Sequence, residues 1–188
     1  MKFNSPAVLF AGGKSRRMGE DKALLPFGGF RSLSEFQYDK LSQFFEKVYI
    51  STKHDKFDFD AKLICDSYED SSPLVALISV FEALDVDEVF ILSVDAPFVS
   101  LLEIKALFDA SSQADAIIAR SPQGIEPLCG IYKRSMLPFA KAQLQKNNHK
   151  LLDLLSLVHT KFIDFTKQDT FMNLNRKEEY ERAKALLY

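Results

Sequence analysis

Ala7-Val8-Leu9-Phe10-Ala11-Gly12-Gly13-Lys14-Ser15-Arg16-Arg17-Met18-Gly19-Glu20-Asp21-Lys22 runs from an apolar tetrapeptide through a glycine pair into a basic loop. Ala7 to Phe10 reads as a buried first strand. Gly12 and Gly13 let the backbone turn tightly and approach a ligand without obstruction by a Cβ. Arg16, Arg17 and Lys22 follow within one loop. Glycines at a strand end followed by cations suit a polyphosphate, which needs exposed N–H groups and balancing positive charge. Two familiar phosphate loops are excluded. A Walker loop needs a glycine where Val8 stands, and a dinucleotide fingerprint needs a spacing that adjacent Gly12-Gly13 and a late Gly19 do not give.

Beyond this stretch, short β-like runs alternate with longer amphipathic ones. Strands are predicted at Val48 to Ser51, Lys62 to Cys65, Val89 to Val94, Ala114 to Ala119, Leu128 to Tyr132 and Lys161 to Phe165. Helices are predicted at Ser34 to Glu46, Pro73 to Leu84, Ser135 to Gln145, Leu151 to His159 and Lys177 to Leu187. Another begins after Ser100, where Glu103 three residues on completes a capping box. The run Val89-Phe90-Ile91-Leu92-Ser93-Val94 suits a strand buried on both faces. Repeated strand–helix alternation predicts an α/β, Rossmann-like fold of three layers around a mostly parallel sheet.

A chain of 188 residues with 47% apolar residues fits one domain, residues 1–188, with a sizeable core. A net charge of −2 argues against a general nucleic-acid binder. Cys65 and Cys129 lack metal spacing and sit in strand-like stretches, so both are expected to be buried free thiols. No signal pattern and no run of transmembrane length is present, which leads to the expectation of a cytoplasmic protein without a membrane partner.

In open α/β sheets ligands sit outside the carboxyl ends of the strands. Ser51 follows Val48-Tyr49-Ile50, Asp66 follows Leu63-Ile64-Cys65, and Asp95 follows Ile91-Leu92-Ser93-Val94. These positions can converge on the edge that carries the first loop. A carboxylate at the end of a buried strand is rigidly aimed, and Mg²⁺ is usually held by one or two such carboxylates with phosphate oxygens and water. Asn175, just before the last helix, fits either a neutral oxygen near that metal or a helix N-cap. His54, His149 and His159 show no ligand spacing and read as surface residues, although Asn147 to Lys150 could touch an anionic acceptor.

The segment from Phe10 to Lys22 resembles the opening motif of the molybdenum cofactor guanylyltransferases, L-A-G-G-x-S-x-R-M-G-x-D-K. Every fixed position matches except the first, where Phe10 replaces leucine. Ser93-Val94-Asp95-Ala96-Pro97-Phe98-Val99 is similar to that family's C-D-x-P-[FY]-[IV] element, and Asn173-Leu174-Asn175 to the start of its N-[VIL]-N-T-P-E-[DE] element. There Arg176-Lys177 replace Thr-Pro. The resemblance implies a nucleotidyltransferase domain that moves GMP from GTP to the terminal phosphate of molybdopterin and releases pyrophosphate.

The family's site residues carry over position by position. Phe10, Ala11, Gly12, Gly13, Lys22, Ser51, Asp66 and Asp95 would bind nucleotide. Arg17, Lys22 and Asp95 would be catalytic, and Asp95 with Asn175 would hold Mg²⁺. An aspartate can accept both N–H donors of a guanine edge, which makes Asp66 the candidate base reader. Ser51 stands where the family has asparagine, and Ser72 and Ala76 replace the glycines of its G-P-L-x-G turn. These departures bear on base choice. Glu126 to Gly130 is similar to a stretch that lines the acceptor side in the wider superfamily. Transient contact with proteins that deliver the pterin or receive the product is implied as well. The alternatives are a CTP-dependent relative, a sugar-phosphate nucleotidyltransferase, and a non-catalytic nucleotide-binding module.

Overall fold

The computed structural model describes residues 2–12, 21–110, 113–167 and 169–187. Its chain order is β1 (Ala7–Phe10), α1 (Leu33–Phe44), β2 (Val48–Thr52), β3 (Leu63–Cys65), α2 (Pro73–Ala83), β4 (Glu88–Ser93) and α3 (Leu101–Asp109). Then come β5 (Ala116–Ser121), β6 (Gly124–Lys133), α4 (Leu137–Gln145), α5 (Leu151–Leu157), β7 (Thr160–Asp164) and α6 (Lys177–Ala185). Three 3-10 turns join them at Lys22–Leu24, Arg134–Met136 and Asp169–Phe171.

The strands form a seven-stranded sheet in the order β3-β2-β1-β4-β6-β5-β7. β1 pairs in parallel with β2 and β4, β2 with β3, and β5 with β7. Only β6 runs against its neighbours, pairing antiparallel with both β4 and β5. Period-2 patterning alone cannot reveal that reversal. A tight connection produces it, and Gly124 at the β5–β6 corner adopts φ +134°, which suits a residue without a Cβ.

Central-strand side chains alternate between two cores. Ala7 and Leu9 face a layer that includes Leu33, Leu41, Ile104 and Ala183. Val8 and Phe10 face Leu74, Ile78, Leu151 and Leu154. That two-sided burial explains the unbroken apolar runs of β1 and β4. α2 is buried at every position from Leu74 to Phe81 because the sheet covers one side and α4 packs on the other. Each fully buried Leu, Val or Phe contributes about 1.5–3 kcal/mol.

Local signals set the helix starts. Ser32 accepts from the Glu35 N–H and starts α1, Ser72 accepts from the Val75 N–H with Pro73 in the first turn of α2, and Ser100 with Glu103 forms the capping box of α3. Where the expectation placed one helix from Ser135 to Gln145, a 3-10 turn precedes α4. β6 starts at Gly124, ahead of the expected Leu128. α5 ends at Leu157, freeing the next residues to enter β7.

The cysteine expectation holds for one residue only. Cys129 is a buried free thiol, but Cys65 is exposed, because the short β3 lies at the sheet's edge. No helix among the described residues is long and apolar enough to cross a membrane.

Candidate active site

Hydrogen bonds continue past the strand ends and gather the candidate residues on one edge. The Ala11 N–H donates to the Ser51 carbonyl at 3.0 Å, the Val94 N–H to Phe10 at 3.0 Å, and the Asp66 N–H to Thr52 at 3.2 Å. The result is an open cleft of about 170 Å³. Phe10, Gly12, Ser51, Asp66, Ser72, Pro73, Ala76 and Asp95 line it, with Ser71, Ser93 and Leu128. Ala11 is buried just beneath. A Cβ on Gly12 would meet no protein atom within 4 Å, so protein packing does not demand glycine there. Gly13 and Arg17 lie outside the described residues.

The Lys22 ammonium donates at 2.7 Å to Oδ2 of Asp95, which lines the cleft, and at 3.2 Å to Asn175 Oδ1. Three distant segments supply this trio. Asp21 accepts from the Ala23 N–H and caps the 3-10 turn that presents Lys22. Asp95 sits in the turn after β4, where its N–H donates to Ser93 Oγ. The Leu174 N–H donates to the Asp95 carbonyl at 3.0 Å, which brings Asn175 alongside. The N-cap of α6 is Arg176, not Asn175. The Glu179 carboxylate accepts from the Asn175 and Arg176 N–H groups at 2.7 and 2.8 Å. The Asn175 amide oxygen is thereby turned toward Lys22 and not onto the helix.

Burial pushes the Asp95 carboxyl above its ordinary value, against the pull of Lys22. Burial raises Asp66 too, partly offset by Lys53. In both residues Oδ1 is buried with no hydrogen-bond partner among the described residues. Such orphaned oxygens are unfavourable in a finished core and fit a site that waits for a cation or a donor edge. No group of three or more His, Cys, Asp and Glu among the described residues is placed to hold a metal ion. A divalent ion here would draw on the Asp95 carboxylate, the Asn175 oxygen and the substrate's own phosphates.

Several participants carry no sequence signal. Lys56, in the loop after β2, donates to the Ala11 carbonyl and to Asp21. His149 Nδ1 meets Ser72 Oγ at 2.9 Å, so one of the residues read as bland surface backs the cleft wall. Gln37 and Lys40 of α1 donate to carbonyls on either side of Asp95. Burial lowers Lys40 to about 7, against Cys129 and Glu103. A second, more polar cavity of about 400 Å³ is lined by Asn175 with Gln123, Glu126, Asn173 and Arg182, so the Lys22 ammonium bonds one lining residue of each cavity.

Comparison with known proteins agrees with this geometry. The family model for the MobA-like NTP transferase domain matches residues 7–160. The molybdenum cofactor guanylyltransferase of Campylobacter jejuni (strain RM1221) is 43% identical over 183 residues, covering 96% of this chain and 95% of that protein. The protein of that name from Helicobacter pylori (strain G27) is 34% identical over 190 residues, covering 98% and 94%. The crystal structure of molybdopterin-guanine dinucleotide biosynthesis protein A from Archaeoglobus fulgidus superposes with a TM-score of 0.83 at 19% identity, covering 96% of this chain and 97% of that one. The chain belongs to the MobA-like NTP transferase family.

Proposed function

We propose that this transferase moves GMP from GTP to the terminal phosphate of molybdopterin and releases pyrophosphate. The observation that carries the reading is the Lys22 ammonium set between Asp95 and Asn175 at the carboxyl edge of the sheet, with Asp95 and Asp66 lining one cleft. The names of the C. jejuni and H. pylori relatives support guanine and molybdopterin as the substrates.

A phosphate oxygen of the acceptor attacks the α-phosphorus of GTP and forms a new P–O–P bridge. The bond between the α-phosphorus and the bridging oxygen breaks, and pyrophosphate leaves with the electron pair. The attacking phosphate is already ionised at neutral pH, so no protein base is needed. Positioning and charge neutralisation carry the rate. Lys22 and Arg17 balance negative charge on the triphosphate and the leaving group. Gly12 and Gly13 allow backbone N–H groups to approach the phosphates, with Phe10 and Ala11 beneath. Asp66 accepts from the guanine N–H edge, with Ser51 beside it. Asp95 and Asn175 would hold Mg²⁺, which supplies electrostatic screening of the phosphate oxygens when bound. The polar cavity lined by Asn175 and Glu126 supports a seat for the pterin on that side.

Purified protein incubated with GTP, Mg²⁺ and molybdopterin should release pyrophosphate and form the guanine dinucleotide. A panel with CTP, ATP and UTP should show GTP preferred. No product from any nucleotide would sink the reading, and a CTP preference would move it to the cytidylyl transfer class.

A further inference from the structure

Gln37 and Lys40 lie one turn apart on α1 and face the same side. Gln37 is fully buried, and its Nε2 donates to the carbonyls of Ser93 and Val94 at 3.3 and 3.2 Å. The Lys40 ammonium donates to the carbonyls of Pro97 and Val99 at 2.7 and 2.8 Å. Four backbone acceptors that bracket Asp95 are therefore held by two side chains of one helix. At this point the chain leaves β4 and turns away, and although the Ser93 carbonyl also accepts from the Ala96 N–H, the carbonyls beyond it have left the strand ladder. Leucine or methionine would serve packing alone at both positions, without the cost of burying an amide and a charge.

We propose that Gln37 and Lys40 are positioning residues for Asp95, clamping residues 93–99 from behind so that the carboxylate is aimed into the cleft. The inference rests on the nucleotidyl-transfer reading, because Asp95 is the group whose aim matters there. Two local bonds report on the clamp directly. The Val94 N–H donates to Phe10, and the Ala96 N–H donates to Ser93 at 3.2 Å.

The test uses Lys40→Met and Gln37→Glu in the full chain; the second keeps the side chain's shape and removes its donors. Hydrogen exchange at Val94 and Ala96 should accelerate roughly tenfold in each variant while β1 amides stay unchanged. In Mn²⁺-titrated GTP turnover, half-saturating Mn²⁺ should rise several-fold and kcat fall about tenfold, with GTP affinity in the absence of metal changed less than about twofold. Lys40→Arg, which restores cationic donors, should recover part of the loss. Unchanged exchange at Val94 and Ala96, or equal acceleration throughout β1, overturns the proposal. So does an unchanged Mn²⁺ requirement in a folded variant. If the wild-type protein turns over no nucleotide, the reaction assignment falls, and the exchange measurement still decides the clamp. If Lys40→Met does not fold, Gln37→Glu gives the same readouts.

Discussion

The Lys56 ammonium lies 2.5 Å from the Asp21 carboxylate and 3.1 Å from the Ala11 carbonyl, joining the two flanks of the glycine-rich segment. A loop that binds triphosphate loses conformational freedom on binding, and a tether at both ends reduces that loss beforehand. Asp21 also caps the turn that carries Lys22. Lys56→Met should therefore weaken GTP binding about tenfold, or about 1.4 kcal/mol, with the fold retained. Calorimetric titration reads the affinity, and an unchanged value would remove Lys56 from this role.

Asp95→Ala should lower metal-dependent turnover by roughly a hundredfold or more, since it deletes the carboxylate that meets Lys22 and, on the proposed reading, would hold the cation. Circular dichroism should stay native. Lys22→Ala should weaken GTP binding as well, because in the proposed reaction the ammonium balances the charge of the phosphates. Retention of full activity in either variant would contradict the assignment.

Asp66 yields a prediction in which stability and function part company. Burial holds its folded-state affinity for protons above the ordinary 3.8. Between 3.8 and that higher value the folded chain binds more protons than the unfolded one, so stability falls as pH rises through the window. At neutral pH the full penalty is present. Asp66→Asn should thus raise the melting temperature at neutral pH, and the advantage should shrink in acid below the unfolded value. The same change should reduce the preference for GTP, because a neutral amide cannot accept both donors of a guanine edge. Paired melting curves at two pH values and a nucleotide panel check both halves.

Gly130 in β6 tests the tight pairing beside the cleft. A Cβ there would stand 2.6 Å from the Ile117 carbonyl oxygen and 2.6 Å from Ile118 Cδ1. Backbone cannot give way as a flexible side chain can, so Gly130→Ala should destabilise by about 1–3 kcal/mol in urea denaturation. A change within a few tenths would show that β5 can shift to accept it.

Much of this architecture is legible along the chain because its causes are local. The apolar run and glycine pair announce β1 and its loop, and Ser100 with Glu103 announces α3. Asp95 and Asp66 are recognisable because each follows an apolar run at a strand end. Gln37 and Lys40 are not, since their partners are backbone carbonyls, which carry no sequence signature, and Lys56 is not, since Ala11 and Asp21 lie far from it along the chain. His149 is hidden for a related reason: its partner Ser72 is distant in sequence, and the packing of α4 against α2 brings them together. Strand direction escapes as well, because β6 alternates in the same way whichever way it runs. The exposure of Cys65 depends on sheet order, which no single strand encodes.

The reversal of β6 has an evolutionary corollary. Strands β1 to β4 supply the wall with Ser51 and Asp66, while the β5–β6 hairpin and the segment before α6 supply Gln123, Glu126 and Asn173 on the other side. Asp95 and Asn175 stand on the seam. Residues at the hairpin tip can be exchanged or inserted without disturbing a single pairing of the parallel half. On the proposed reading, the residues that choose the nucleotide and those that choose its recipient can therefore change separately, with Asp95 and Asn175 left in place between them.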